Sequence, residues 1–138
     1  IASNLALLSE IKTPVIAIVT GEGGSGGALA ISVGDHLSML EYSTYSVASP
    51  EACASIIWRS SEKAPDAAEA MKVSSKELLK LNIIDEIIKE PLGGAHRDYD
   101  FMSSEIKKSI LKSLKQLQSM PMKELLKRRY SRIISIGS

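Results

Sequence analysis

A mixed α/β domain built on parallel strands follows from three features of the chain. Val15 to Val19 is a continuous apolar run bounded by Pro14 and by glycines, which suits a strand covered on both faces. Gly21 to Gly27 then holds five glycines in seven residues and leads into a helix of small residues. Further on, strand-like apolar runs alternate with capped helical segments, the order in which helices carry a chain between parallel strands.

The elements follow in order. Ile1, Leu5 and Leu8 share one face of an opening helix, which Lys12-Thr13-Pro14 ends because proline disfavours α geometry in the residue before it. After the strand at 15–19 and the glycine loop, Ala28 to Val33 reads as a short helix stopped by Gly34-Asp35. His36 to Glu41 and Tyr45 to Ala48 read as two short strands. Ser49-Pro50-Glu51 is a helix start: serine caps, proline has the φ of the first helical position, and glutamate favours the positive end of the dipole. Ala52 to Trp58 continues it as a largely buried helix.

Ala64-Pro65-Asp66 opens another helix through Met71. Ser74 and Glu77 fit a capping box, with Asn82 ending that helix. Ile83 to Ile88 is rich in β-branched residues and reads as a strand, closed by Pro91 and Gly93-Gly94. From Met102 the pattern becomes long and helical, with Met102, Ile106, Ile110, Leu114 and Leu117 on one face and lysines off it. Pro121 opens a last helix through Leu125, Leu126, Ile133 and Ile134. These features divide the chain into a core at 1–100 and a helical extension at 101–138.

The chain has 138 residues, 44% of them apolar and 24% charged, enough for one domain with a core. A net charge of +1 argues against nucleic acid or an anionic membrane as the main partner. The single cysteine, Cys53, suits a reducing compartment, and neither a signal peptide nor a membrane-spanning run is evident. No Cys or His spacing suits a metal. The start at Ile1, inside what reads as a helix, points to a piece of a longer polypeptide.

Four readings compete for the glycine loop. Gly21, Gly23 and Gly26 satisfy the dinucleotide pattern GxGxxG, with Glu41 about 20 residues on, but the helix that follows is too short for a dinucleotide-binding crossover. Gly23-Gly24-Ser25-Gly26-Gly27 satisfies GxSxG, with Asp85 and His96 in the chain order of a serine hydrolase or peptidase, a pattern that any glycine-rich loop with one serine meets easily. In a third reading the backbone N–H groups of Gly26 and Gly27 at a helix start form part of an oxyanion hole, for a thioester or a ureido oxygen, with no side chain required. In a fourth the loop is a tight turn without a ligand.

Elsewhere the plain readings are structural. Cys53 and Trp58 read as core, and His36 as a surface or capping residue. His96 and Arg97 lie in a second Gly-Gly loop suited to a ligand or a partner subunit. Arg59, Lys63 and Lys127 to Arg129 suit the phosphates of a ligand, a subunit contact or a solvated face.

Four blocks in order decide among the readings: GEGGSGGALAI, YSTYSVASPEACASIIWRS with KAPDAAEAM, LKLNIIDEIIKEPLGGAHR, and the terminal LLKRRYSRI. Together they closely resemble the carboxyltransferase α-subunit family of multisubunit acetyl-CoA carboxylases, over essentially the whole chain from Thr13. Gly26-Gly27-Ala28, Ser49-Pro50-Glu51, Glu69-Ala70-Met71 and Ile84-Asp85-Glu86-Ile87 also resemble the wider crotonase-like (ClpP/crotonase) superfamily.

The resemblance implies a crotonase-like core, incomplete at its N-terminus, with C-terminal helices. It implies transfer of a carboxyl group from carboxybiotin to acetyl-CoA to give malonyl-CoA, the first committed step of fatty acid synthesis. Biotin is then held by a separate biotin carboxyl carrier protein and is not attached to this chain. The partner is a zinc-ribbon β subunit in an α2β2 assembly, in the cytoplasm or, in a plant or alga, the plastid. Gly26, Gly27 and Ala28 become the oxyanion N–H donors, on the carboxybiotin side. Gly23, Gly24, Ser25, His96 and Arg97 become candidate substrate contacts, with Ser25 a spacer rather than a nucleophile. A second donor is expected from an earlier strand, so the 138-residue chain is expected to be inactive alone. The alternative is a non-catalytic assembly module whose long C-terminal helices pack on the β subunit.

Overall fold

The computed structural model describes residues 2–137. Helix α1 (Ala2–Glu10) leads to strand β1 (Ile16–Val19) and strand β2 (Glu22–Gly24), then helix α2 (Ser25–Ser32) and strands β3 (His36–Leu40) and β4 (Thr44–Ser46). Three helices follow, α3 (Pro50–Trp58), α4 (Ala64–Met71) and α5 (Ser75–Lys80), before strand β5 (Glu86–Ile88) and the long helices α6 (Tyr99–Gln118) and α7 (Met122–Ile134). Ile1, assigned to the opening apolar face, lies outside the described residues.

The strands form two parallel sheets. One has the order β1-β3-β5, with Ile16 opposite His36 and Ser38 opposite Glu86. The other pairs β2 with β4, Gly23 opposite Tyr45. Alternation along the strands sorts the first sheet into two faces. Ala17, Val19, Leu37, Met39 and Ile87 pack with Ala28 of α2 and with Tyr45, Leu78 and Ile84. Ile18, Leu40 and Ile88 pack with Met102 and Ile106 of α6. Both faces are covered, as the apolar run implies. Ile16, Ala17 and Ile18 stay half-buried, because β1 lies at the end of the strand order.

The local signals place most elements. Ser49 Oγ accepts from the Ala52 amide at 3.2 Å with proline in the first turn of α3, and Ser74 Oγ accepts from the Glu77 amide at 3.5 Å at α5. Asn82 takes φ 56° just beyond α5, the left-handed conformation that asparagine tolerates better than most residues.

Some expectations are corrected. The glycine segment is not all loop: Glu22–Gly24 is a strand, since a Cβ on Gly23 would lie 2.8 Å from Tyr45 Cδ2 and only glycine lets the ring sit over that backbone. α2 starts at Ser25 rather than Ala28. α6 starts at Tyr99, capped by Asp98, whose carboxylate accepts from the Phe101 amide at 2.9 Å.

α3 is not largely buried either. Cys53 and Ala54 face Ala67 and Met71, but Ile56 and Ile57 are 76% and 64% exposed. Trp58 is not core: it is 39% exposed, with Lys63 Nζ 5.8 Å from its ring centroid.

The helical segment beyond residue 101 is tied to the sheet by polar contacts as well as packing. Glu86 accepts from Ser109 Oγ at 2.5 Å and from Lys112 Nζ at 3.0 Å, and its Oε2 lies 3.5 Å from His36 Nε2. Burial pushes the Glu86 carboxyl up, but these hydrogen bonds and the neighbouring cations outweigh it and hold the group below the ordinary value of 4.5. His36 is thus a half-buried neighbour of α6 rather than a cap.

Candidate active site

The glycine segment changes direction at one residue. Gly24 is extended, at φ −141° and ψ 157°, and Ser25 then takes φ 55° as α2 begins. Of the other non-glycine residues with positive φ, Arg59 and Lys72 are helix C-caps and Asn82 follows α5, positions where that conformation is usual. Ser25 alone among them holds it at a helix start. No glycine between 21 and 27 has positive φ, so the strain falls on the serine.

The first N–H groups of α2 have no intrahelical acceptor, and no side chain caps them from Gly24. Gly24, Ser25, Gly26 and Gly27 are exposed. A Cβ added at Gly26 or Gly27 would meet nothing within 4 Å. Their lack of a side chain therefore serves no packing need among the described residues. It leaves the N–H groups of Gly26 and Gly27 open to approach, whereas Ala28 is buried and its N–H stands where the first bond within the helix is made.

Beside them lies a cavity of about 750 Å³. Ser25, Gly26 and Ala28 line one side, and Leu29, Val73, Leu78, Ile83 and Ile133 are among the apolar residues that complete it. None of its lining residues is charged. In such surroundings the peptide dipoles at the start of α2 act on a negative charge more strongly than they would in water.

Tyr45 closes the floor. Its ring lies over Gly23, and its hydroxyl donates a short hydrogen bond to the Ala28 carbonyl. Burial pushes its pKa up, so the hydroxyl keeps its proton at neutral pH.

The structure gathers some candidates and not others. Gly24, Ser25, Gly26, Gly27 and Ala28 meet at the start of α2, while Gly23 is buried beneath Tyr45. His96 and Arg97 are exposed on a 3-10 turn and line neither the cavity nor the start of α2. Glu90 holds their loop, accepting from the amides of Ala95 at 2.8 Å and Tyr42 at 2.6 Å.

The hydrolase constellation is not assembled. Asp85 accepts from the Leu37 amide at 2.8 Å and pairs with Arg132 at 3.0 Å, and neither it nor His96 bonds Ser25. The dinucleotide pattern fails as well. A whole strand, β2, separates β1 from α2, so the glycines form no single turn between strand and helix.

The terminal basic run is the largest surprise. Arg129 is fully buried, its Nε and Nη2 donating to Asp35 at 3.0 and 2.7 Å. The same guanidinium donates to the carbonyls of Leu8 and Ser9 in the last turn of α1 and of Ile11 and Thr13 just past it. Arg128 donates to the Asp35 carbonyl at 2.8 Å, and Arg132 to those of Ser32 and Ile83. Arg128 and Arg129 are therefore spent on the fold and not on CoA phosphates. A signal for burial was present in the sequence: Arg129 sits midway between Leu125 and Ile133 on the apolar stripe of α7.

Comparison with known proteins agrees with this architecture. The family model described as acetyl co-enzyme A carboxylase carboxyltransferase-like matches residues 1–137. The chain belongs to that family.

Among curated relatives, acetyl-coenzyme A carboxylase carboxyl transferase subunits alpha of Alcanivorax borkumensis and Pseudomonas aeruginosa are each 58% identical over the whole chain, and that of Vibrio campbellii is 56% identical over 99% of it. The chain spans 43–44% of the length of these relatives. Among solved structures, a Pseudomonas malonate decarboxylase hetero-tetramer in complex with coenzyme A is similar at TM-score 0.69 and 17% identity, over 97% of this chain and 54% of that one. Transcarboxylase 12S gives 0.68 and 18% over 87% and 23%, and an enoyl-CoA hydratase from Mycobacterium avium subsp. paratuberculosis gives 0.58 and 15% over 96% and 55%. The shared fold is crotonase-like.

Proposed function

We propose that this chain contributes half of a carboxyltransferase site, which moves a carboxyl group from carboxybiotin on a carrier protein to the methyl carbon of acetyl-CoA, giving malonyl-CoA. The observation that carries the reading is the start of α2, where uncapped N–H groups and side-chain-free Gly26 and Gly27 open beside an uncharged apolar cavity. Family membership and the names of the relatives support it.

The cavity suits a neutral bicyclic ring with one carbonyl oxygen, which describes the biotin head group. Biotin, brought by its carrier, would supply the carboxyl group. The N–H groups of Gly26 and Gly27 then donate to an oxygen that gains negative charge as the carboxyl group leaves, and the methyl proton of acetyl-CoA passes to the ring nitrogen that the carboxyl group has vacated. Such donors bind the transition state more tightly than the ground state, and one of them is worth about 100- to 1000-fold in rate. Apolar walls keep water from competing for the same oxygen. No nucleophilic side chain is needed, in keeping with Ser25 Oγ having no base paired to it among the described residues.

The remaining partners, a β subunit and a carrier protein in an α2β2 enzyme of the cytoplasm or plastid, belong to the same proposal. A role in assembly alone is less well supported, because Met102, Leu117 and Leu125 of the long helices are buried within this chain. Gly27→Val in the intact heteromeric carboxylase separates the two. The expected result is at least about a 100-fold loss of malonyl-CoA formation with assembly retained. Full activity in an intact complex would overturn the donor assignment.

A further inference from the structure

We propose that Tyr45 is a positioning residue for this carboxyl transfer, holding both ends of the segment that carries the Gly26 and Gly27 donors; the inference rests on the donor reading above. Three contacts converge on it. Its ring lies over Gly23, so closely that an added Cβ there would come within 2.8 Å of Cδ2. Its hydroxyl donates to the Ala28 carbonyl in the first turn of α2. Its own amide donates to the Val73 carbonyl at 3.1 Å, anchoring β4 from the far side.

Gly23 and Ala28 bracket the donor-bearing residues, and Tyr45 spans the bracket. Without it, the Gly24–Gly27 segment has few restraints of its own. No side chain caps the helix, no side chain packs at Gly26 or Gly27, and Ser25 holds a conformation disfavoured for a serine. Ladder pairing of Gly24 with Ser46 fixes the strand before the bend, and the Tyr45 hydroxyl fixes the helix after it. Thr44, beside Tyr45, donates its amide to the Gly21 carbonyl at 2.9 Å, so β4 grips the segment along its length. Tyr45 also lines the cavity, where a displaced ring would change the direction of the donors relative to a bound oxygen. Donors misplaced by a fraction of an ångström lose transition-state stabilisation while ground-state binding changes little.

The test is Tyr45→Phe in the intact heteromeric carboxylase, which removes one oxygen and keeps the ring. The expected result is a kcat for malonyl-CoA formation lowered roughly 10- to 100-fold, with KM for acetyl-CoA within about twofold and assembly unchanged. Gly23→Ala approaches the same contact from below by pushing the ring, and it stands in with the same criteria if Tyr45→Phe does not assemble. Its expected loss is smaller, with the same kcat-only signature, and the double variant loses less than the product of the two. A Tyr45→Phe enzyme with full kcat and only a lowered melting temperature would show a purely structural hydrogen bond and overturn the proposal. Gly27→Val measured alongside keeps the two ideas apart. If it is inactive while Tyr45→Phe and Gly23→Ala are fully active, the donor reading stands and the positioning role fails; if it is active, the donor reading itself has failed.

Discussion

At its N-terminal end α2 presents N–H groups without a side-chain cap, with open space over Gly26 and Gly27, whereas just beyond its C-terminal end the backbone and Asp35 are enclosed by arginines from α7. Arg132 donates to the Ser32 carbonyl, and Arg129 and Arg128 hold Asp35. Both ends follow the same electrostatics. A helix end with free donors attracts negative charge, and one with free carbonyls attracts cations. This chain satisfies the second end internally and leaves the first open. Anchoring the helix from behind lets its front remain unsatisfied without losing its place.

The strongest way to break this contrast is at the closed end. Arg129→Met would leave Asp35 buried without its partner and release the carbonyls of Leu8, Ser9, Ile11 and Thr13. Loss of one partner of a buried pair costs about 3–5 kcal/mol, so urea denaturation of the full-length subunit is expected to show a loss of that size. A loss below about 1 kcal/mol would mean that the pair does not hold α7 in place. At the open end the expectation reverses. Gly27→Val is expected to change denaturation stability by less than about 1 kcal/mol, since its side chain meets open space, while activity falls about 100-fold or more.

A third test concerns the contact between sheet and α6. The Glu86 carboxyl has a folded pKa below its unfolded value, so the stability it contributes is present above about pH 4.5 and is lost as pH falls through the folded pKa. Glu86→Gln is expected to flatten the acid side of a stability–pH curve between about pH 5 and pH 3. An unaltered acid slope would mean that other carboxylates carry it. The smallest effect is expected at Ser25→Gly. Relief of the positive φ is worth about 1–2 kcal/mol, and the added freedom of an unfolded glycine returns about 0.5–1 of it, so melting should show a net gain of at most about 1.5 kcal/mol. Destabilisation would show that the serine hydroxyl has a structural partner.

Local structure was legible wherever one residue decides it. Ser49, Ser74 and Asn82 act at the helix ends where their side chains place them. Asp98 does the same at α6, one turn ahead of the apolar pattern that begins at Met102. In α3, Ile56, Ile57 and Trp58 have the composition of a core, and only the packing of Cys53 and Ala54 shows which face turns inward. In the glycine segment the residue types revealed that the backbone would be exposed. They did not reveal that serine bears the bend, or that Glu22–Gly24 pairs as a strand, because both depend on Tyr45 some 20 residues away.

The parallel α/β plan, the glycine-rich helix opening and the family are legible in the order of residues alone. These rest on periodicity, caps and motif order, which act over a few residues at a time. Tertiary structure alone decided which polar groups are spent and which remain. Arg129 and Asp35 meet across 94 residues, and Tyr45 reaches Ala28 across 17. A charged or hydroxyl side chain reads the same in a string whether it ends in water or in a buried partner, and burial of the partner settles which.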